Sequence, residues 1–216
     1  MQNSSSKLTD FYKTHHSEGN RYGGSVMEDK RAQLYNKWIP RGSKVVDLGG
    51  RDGQLTRHFI AGNHVTIADI DEVALETAKE RYDVETQLVN LNESLPFDDN
   101  SFDVVTMSEV LEHLPYPKIT LAEIVRIVRP GGLFICNFPL AYHLQDRIRV
   151  MTGSRLTMSK DSTHLQFLSF SDAKTLLSQY FMVEQIHILK GGKIANIFPN
   201  LFARNVAFKC KITKTD

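Results

Sequence analysis

The chain has 216 residues and a formal net charge of +1, from 26 Lys and Arg against 25 Asp and Glu. This length suits one α/β domain, which buries roughly 70% of its unfolded surface and needs no disulfide or metal to hold its core. With 41% hydrophobic and 24% charged residues, the composition excludes bulk disorder. The near-neutral charge argues against a broad nucleic-acid or anionic-membrane face.

Three features predict a cytoplasmic protein with no integral membrane segment. Cys136 and Cys210 stand in apolar runs and are expected to be buried, reduced thiols. Apolar stretches reach about six residues, whereas a membrane span needs roughly 20. The first residues are polar and lack the apolar segment of a secretory signal.

Residues 1–43 are predicted to form an N-terminal helical cap. The segment Ser25-Val26-Met27-Glu28 predicts a capping box, in which a Ser side chain closes the helix start and a Glu three residues later reaches back. The helix should run to about Trp38, before Pro40-Arg41-Gly42 ends it. Its predicted inward side chains are Leu34, Tyr35 and Trp38, and its outward ones are Lys30, Arg31 and Lys37.

Residues 44–216 form the second predicted unit, in which strands and helices alternate. The predicted strands are 44–48, 64–68, 85–89, 102–107, 133–138, 182–189 and 205–212, and the predicted helices are 54–61, 71–82, 117–129 and 171–180. Residues 139–169 lack clean periodicity and are expected to be a substrate-side insertion. The alternation predicts a mostly parallel sheet covered on both faces, with ligands at the carboxyl ends of its strands.

A glycine-rich turn, VVDLGGRDG at 45–53, follows the first strand. Glycines let the backbone turn sharply and approach a ligand. The turn is not the G-x-G-x-x-G fingerprint, which argues against a nicotinamide-dependent oxidoreductase. Asp47 precedes the glycines, and its charge disfavours a pyrophosphate but favours a cation. The predicted ligand is therefore a small molecule that carries positive charge and no phosphate.

Polar side chains also follow the next strands. Asp69 ends the second strand, where a carboxylate commonly accepts hydrogen bonds from the two hydroxyls of a ribose. Ile70 beside it is suited to pack on a flat base, and Asn90-Leu91-Asn92 after the third strand offers amides to an adenine edge.

Five segments in order carry a family resemblance. They are VVDLGGRDG (45–53), ADID (68–71), NLNESLPFDDNSFDVV (90–105), SEVLEHL (108–114) and RIVRPGGLFI (126–135). Together they resemble the class I S-adenosylmethionine-dependent methyltransferases, specifically the type 11 domain that includes ubiquinone-biosynthesis-like enzymes. The resemblance implies a Rossmann-like α/β three-layer sandwich, with seven strands in the order 3-2-1-4-5-7-6 and strand 7 antiparallel.

The resemblance also implies the cofactor, S-adenosylmethionine, and the residues that hold it. Asp47 and the glycines shape the site for its methionine end, Asp69 holds the ribose, and Ile70 and Leu91 flank the adenine. The full set implied for cofactor binding is Asp47, Gly49, Gly50, Gly53, Asp69, Ile70, Asn90, Leu91 and Ser108. Two positions depart from the family: Arg51 replaces the middle glycine of D-x-G-x-G-x-G, and Asn90 replaces a common acidic residue.

Methyl transfer needs the acceptor held in line with the sulfonium methyl and water excluded. A general base is needed where the acceptor is an alcohol, a phenol or a protonated amine. The candidate bases are His113, His143 and His164, with Asp146 and Tyr142 as orienting groups. The alternative for each histidine is a structural or surface imidazole.

The stretch Glu109-x-x-Glu112-His113 resembles a sequence that certain ubiquinone O-methyltransferases use for a divalent cation. Two carboxylates and one imidazole would suit Mg or Zn. The favoured interpretation is that Leu111 and Leu114 pack this segment while the carboxylates are solvated or orient the cofactor. No metal is therefore predicted.

The fourth strand is not followed by the N/D-P-P-Y/F loop that holds a flipped base, so no nucleic-acid partner is expected. The basic residues of the insertion either meet a carboxylate or phosphate of the acceptor or form a solvated face.

The predicted function is methyl transfer to a small-molecule, lipid-linked or sugar-linked acceptor, at oxygen. The alternative is a catalytically silent protein that binds a partner, which Arg51 favours and the intact Asp47 and Asp69 disfavour. The oligomeric state stays open.

Overall fold

The computed structural model describes Ser25 and residues 27–213. Its strands are β1 (Lys44–Leu48), β2 (His64–Asp69), β3 (Glu85–Leu88), β4 (Phe102–Ser108), β5 (Val128–Pro139), β6 (Met182–Lys190) and β7 (Asn205–Lys211). They form one seven-stranded sheet in the order β3-β2-β1-β4-β5-β7-β6. The pairs among β1 to β5 are parallel, and β7 is antiparallel to both β5 and β6. The predicted order and the antiparallel strand 7 are confirmed.

Helices cover both faces of the sheet. They are α1 (Glu28–Trp38), α2 (Glu72–Tyr82), α3 (Pro117–Ile127), α4 (Leu144–Met151), α5 (Phe170–Ser178) and α6 (Pro199–Phe202). On one face Tyr35 of α1 lies in a cluster with Val45, and Leu75 of α2 packs with Ile67. On the other face α3 and α5 pack against Val46 and its neighbours. Because successive side chains of a strand point to opposite faces, Val45 and Val46 belong to different layers.

The N-terminal end of α1 differs from its prediction. The N-cap residue is Met27, and no side chain caps the helix, so the predicted capping box is wrong. Glu28 instead accepts hydrogen bonds from Arg57 Nη2 at 2.7 Å and from Gln54. Arg57 competes with the backbone for the Glu28 carboxylate. Its charge-assisted hydrogen bond is stronger than the bond that Glu28 would make to a backbone N–H in a capping box.

Arg31 was predicted to face outward and is instead 2% exposed. Its Nη1 donates to Ser108 Oγ at 2.6 Å and its Nη2 to Ser25 Oγ at 2.8 Å. The partner at the end of β4 is 77 residues away along the chain, so helical periodicity alone could not reveal it. The predicted inward residues Leu34, Tyr35 and Trp38 are buried.

The predicted helix over 54–61 is also wrong. The segment consists of turns around a short 3₁₀ helix, Thr56–His58. Thr56 is fully buried and donates to the carboxylate of Asp47 at 2.5 Å, which holds this segment close to the sheet. The insertion at 139–169 contains α4 and a 3₁₀ turn at Met158–Lys160. Within the described residues, no helix combines the length and apolar character that a bilayer span requires.

Candidate active site

The glycine-rich loop leaves β1 through several left-handed residues. Gly49 and Gly53 have φ of +73° and +74°, and a Cβ at Gly49 would overlap the side chain of Val110. Arg51 takes φ +51°, a conformation that costs a non-glycine residue roughly 1–2 kcal/mol. Arg51 therefore keeps the left-handed backbone that suits a glycine. Its guanidinium Nε lies 3.1 Å from Oδ1 of the buried Asp52.

Asp69 is held at the carboxyl end of β2 by the backbone of the adjoining loops. Its Oδ2 accepts from the Arg51 N–H at 2.9 Å, and its Oδ1 accepts from the Asp71 N–H at 3.0 Å. Asp69 is 5% exposed. These two backbone bonds fix the orientation of the carboxylate at the end of β2.

Asp47 lies beneath the loop, in the middle of the sheet. Its two oxygens accept from Thr56 Oγ1 at 2.5 Å and Thr106 Oγ1 at 2.7 Å. Burial raises the pKa of Asp47 to about 6, against the lowering effect of the two hydroxyls. A cation beside this loop would favour the ionised form.

The remaining residues implied for the cofactor lie along the same edge. Ile70 and Asn90 are half-buried and Leu91 is buried. Asn90 Oδ1 accepts from the Asn92 N–H at 3.1 Å, and its Nδ2 donates to Glu93 at 2.7 Å. Thr120 of α3 donates to the Leu91 carbonyl at 2.7 Å. These bonds hold the loop after β3 in place beside Asp69.

A polar network that was not predicted from the sequence surrounds the end of β4. Asn137 is fully buried in the largely apolar β5, and its Oδ1 accepts from Tyr35 Oη at 2.7 Å and Ser108 Oγ at 2.5 Å. Ser108 in turn accepts from Arg31. The polar Asn137 within an apolar strand was a usable sequence signal, whereas Arg31 on α1 offered none. The network connects α1 to the ends of β4 and β5.

Glu109 follows β4 in a left-handed conformation, with φ +55°. Its Oε1 accepts from Asn137 Nδ2 at 2.6 Å and Asn205 Nδ2 at 2.8 Å. Burial raises the pKa of Glu109, while Arg31 opposes that effect. The Glu109 carboxylate is therefore held by two amides from β5 and β7.

Two backbone hydrogen bonds attach the insertion to the loop after β4. The carbonyl of Glu112 accepts from the N–H groups of Leu165 and Gln166 at 2.8 and 2.9 Å. This attachment brings the predicted His113 and His164 together, with ring centroids 4.8 Å apart. Both histidine side chains are 14% exposed.

Glu112 lies beside this pair and is 2% exposed. Neither of its carboxylate oxygens has a hydrogen-bond partner among Ser25 and residues 27–213. Burial, and next the charge of Glu109, raise the pKa of Glu112 well above its usual value. Of the two roles expected for this carboxylate, solvation is wrong, because Glu112 is buried under the attached insertion; orientation of the cofactor stays a prediction.

His143 makes its contacts within the insertion, at the start of α4. It is 4% exposed and is the N-cap of α4, where its Nδ1 accepts from the Asp146 N–H at 3.4 Å. Its Nε2 lies 3.4 Å from Asp146 Oδ2. Burial lowers the pKa of His143. Asp146 is fully buried and also accepts from Tyr142 and Thr157. These contacts favour a structural role for His143.

Comparison with known proteins identifies the domain that carries these residues. Residues 46–136 match the family model described as a methyltransferase domain. They form a type 11 domain of the class I S-adenosylmethionine-dependent methyltransferases. This confirms the resemblance seen in the five motifs. The methyltransferase domain includes Asp47, the glycine-rich loop and Asp69, together with Glu112 and His113.

Curated relatives match the methyltransferase domain over part of their length. The chain is 34% identical over 125 residues to the ubiquinone/menaquinone biosynthesis C-methyltransferase UbiE of Shewanella pealeana, covering 53% of this chain and 50% of that protein. It is 37% identical over 102 residues to the demethylmenaquinone methyltransferase of Clavibacter sepedonicus, covering 45% and 42% of the two proteins. The chain thus spans about half the length of the curated relatives it matches.

A solved structure extends the similarity beyond the methyltransferase domain. The 1,6-didemethyltoxoflavin-N1-methyltransferase of Burkholderia thailandensis aligns with a TM-score of 0.69 and 18% identity, over 99% of this chain and 90% of that chain. That enzyme was solved with 1,6-didemethyltoxoflavin and S-adenosylhomocysteine bound. At this identity the likeness concerns the fold, which the two proteins share from α1 to β7.

Proposed function

We propose that this chain transfers a methyl group from S-adenosylmethionine to a small-molecule acceptor, at an oxygen atom. The observation that carries the proposal is the joined pair of loops after β1 and β2, where Arg51 N–H donates to Asp69. When bound, S-adenosylmethionine supplies an electrophilic methyl group on a positively charged sulfur. The family to which residues 46–136 belong supports the choice of cofactor.

The donor set along the strand ends fits that cofactor. The carboxylate of Asp69 is a suitable acceptor for the ribose hydroxyls, and Ile70 and Leu91 offer apolar surface for the adenine. Gly49, Gly50 and Gly53 let the backbone approach the methionine end, where the carboxylate of Asp47 complements positive charge. Arg51 keeps a left-handed backbone and bonds Asp52. The substitution that favoured the catalytically silent alternative is thus compatible with the loop's path.

On the acceptor side, the insertion at 139–169 and the loop after β4 supply the polar groups. His113 and His164 stand together there, and either imidazole can receive the proton that an acceptor hydroxyl gives up. Their proximity favours these two histidines over His143 as the general base, because the His143 ring caps α4. The predicted division of the chain, with a helical cap at 1–43 and the catalytic unit at 44–216, is part of this proposal, and residues 1–24, 26 and 214–216 of it lie outside the described residues.

Transfer to carbon is a second candidate, because the Shewanella relative is named as a C-methyltransferase. A carbon acceptor would also use a proton-accepting imidazole, so the site alone does not separate the two. Product analysis separates them once an acceptor is found. A methyl-labelled cofactor yields a methyl resonance whose chemical shift differs between an oxygen-bound and a carbon-bound methyl group.

The first test is calorimetric titration of the purified protein with S-adenosylhomocysteine, with NAD as the control. We expect micromolar binding of S-adenosylhomocysteine and none of NAD. Binding of NAD alone would assign the chain to the oxidoreductases. Binding of neither compound would support the silent, partner-binding alternative and overturn the proposal.

A further inference from the structure

We propose that Glu112, His113 and His164 bind one divalent transition-metal ion at the acceptor side of the site. One donor atom from each side chain lies within 4.8 Å of the other two. The binding itself follows from these side chains. Only its role toward the methyl acceptor rests on the proposed function.

The histidine tautomers suit metal binding. His164 Nδ1 lies 3.0 Å from the Met158 carbonyl, and His113 Nδ1 lies 3.2 Å from the Thr163 carbonyl. A carbonyl oxygen can only accept, so each Nδ1 carries the hydrogen, and in the neutral imidazole each Nε2 then carries the lone pair. Metal-ligating histidines commonly donate their other ring N–H to a carbonyl or carboxylate in this way.

Thr163 reinforces the tautomer of His113. Its hydroxyl donates to Asp161 Oδ1 at 2.6 Å and lies 3.0 Å from His113 Nδ1. Because the hydroxyl proton is directed to Asp161, the oxygen is left to accept from His113. The chain Asp161–Thr163–His113 therefore orients the ring that is proposed to bind the ion.

Glu112 provides the independent observation that points to a cation. It is 2% exposed, and neither carboxylate oxygen has a hydrogen-bond partner among the described residues. His113 Nε2 lies 4.0 Å from Oε1, which is too far for a hydrogen bond, and a buried charge without hydrogen bonds is strongly unfavourable. Protonation does not resolve the problem, because the acid proton would itself need an acceptor. A cation held between this carboxylate and the two imidazoles satisfies all three groups.

The donor set indicates the class of metal. Two imidazoles and one carboxylate suit Zn²⁺, Fe²⁺ or Mn²⁺, whereas Mg²⁺ and Ca²⁺ prefer oxygen donors throughout. Three protein ligands leave at least one position open on the ion. An acceptor oxygen bound there would lose its proton more easily. His113 and His164 would then act through the ion and not as free bases.

This site differs from the Glu109-x-x-Glu112-His113 pattern in the sequence. Glu109 Oε1 is occupied by the amides of Asn137 and Asn205, and His164 from the insertion takes its place as the third ligand. Variants of Glu109 and His164 therefore test the proposal as a pair, because His164 belongs to the proposed ligand set and Glu109 does not.

The test uses the full chain without an affinity tag, dialysed against a chelator and then titrated with Zn²⁺ in competition with a chromogenic chelator. We expect one Zn²⁺ per chain with micromolar or tighter affinity. His164→Ala should weaken binding roughly 10-fold or more. Glu109→Gln removes a nearby charge but no proposed ligand, so it should weaken binding less than His164→Ala does. His187→Ala, at an exposed position on β6, should bind like the wild type.

Cobalt provides a second measurement that does not depend on affinity. We expect Co²⁺ to give visible absorption bands of a coordinated ion in the wild type and not in His164→Ala. Circular dichroism checks that the variant is folded, and if it is not, His164→Gln takes its place. Equal zinc affinity in His164→Ala and the wild type, or loss of binding in Glu109→Gln alone, would overturn the proposal.

Failure of this proposal is distinguishable from failure of the proposed function. S-adenosylhomocysteine is titrated into the same metal-free protein, and its binding depends on Asp69 and the glycine loop. Cofactor binding without zinc binding would reject the metal site alone. Zinc binding without cofactor binding would retain the metal site and reject the methyltransferase activity.

Discussion

The backbone N–H of Arg51 donates to Oδ2 of Asp69 at 2.9 Å, which joins the loop after β1 to the end of β2. β1 and β2 are parallel neighbours, with Leu48 opposite Ala68, so their following loops meet at one edge of the sheet. The bond couples the shape of the glycine-rich loop to the carboxylate proposed to hold the ribose.

Asp69→Asn should weaken binding of S-adenosylhomocysteine by roughly 5- to 150-fold, or about 1–3 kcal/mol, because it removes charge-assisted hydrogen bonds. Titration calorimetry measures the change. Asp83→Asn is the matched control, since Asp83 is exposed and its φ of +50° suits asparagine. Equal affinities for Asp69→Asn and the wild type would show that the ribose lies elsewhere.

The stability of the protein should depend on pH through Asp47. Its folded-state pKa is raised from 3.8 to about 6, so its contribution is present at low pH and is lost as pH rises through about 6. Protonation of Asp47 contributes about 3 kcal/mol to the free energy of unfolding at low pH, and about 2 kcal/mol of this is lost between pH 4.5 and 7.5. The measurement is urea unfolding of the wild type and Asp47→Asn across that range.

The quantity to follow is the free energy of unfolding of the wild type minus that of Asp47→Asn, and it should decrease as pH rises. Asp98→Asn, at an exposed position, should show no such trend. A difference that stays constant with pH would contradict the raised pKa of Asp47.

His143→Ala should destabilise the protein more than His143→Asn. Asparagine is among the best N-cap residues and alanine among the poorest, a difference of about 1 kcal/mol. The expected order of unfolding free energies is wild type, His143→Asn and then His143→Ala, measured by urea unfolding. If the two variants are equally stable, capping of α4 is not the role of this side chain.

Arg126→Lys should lower the free energy of unfolding by about 1–2 kcal/mol. The guanidinium donates to both oxygens of Glu123 at 3.0 and 2.8 Å, and to the carbonyls of Leu95 and Phe97 at 2.9 and 2.7 Å. A lysine offers donors from one point and cannot reproduce this planar arrangement. Urea unfolding measures the loss.

Arg129→Lys is the control for that substitution. Arg129 is 58% exposed and pairs with Asp103 at 2.7 Å, and an exposed pair contributes between about 0 and 1 kcal/mol. A loss in Arg126→Lys no larger than that in Arg129→Lys would show that the buried carbonyl contacts add nothing measurable.

The alternation of apolar runs and turns was enough to predict the sheet, and the five motifs predicted its order. Asp47 and Asp69 could be placed at strand ends because a strand and the residues after it are consecutive in the chain. The helix over 54–61 was predicted wrongly because the side-chain bond from Thr56 to Asp47 holds this segment against the sheet, and a local pattern does not contain that bond.

By itself, the sequence determined the strand-end positions of Asp47 and Asp69, since these depend on contiguous residues and local periodicity. The sheet order was implied by the family that the five motifs resemble, because local periodicity does not specify which strands are neighbours. Only the tertiary structure decided that Arg31 is buried against Ser108, that His143 caps a helix, and that His164 lies beside His113 and Glu112. The last arrangement depends on hydrogen bonds from Leu165 and Gln166 to the Glu112 carbonyl. Backbone groups that every residue carries make those bonds, so residue types alone do not reveal them.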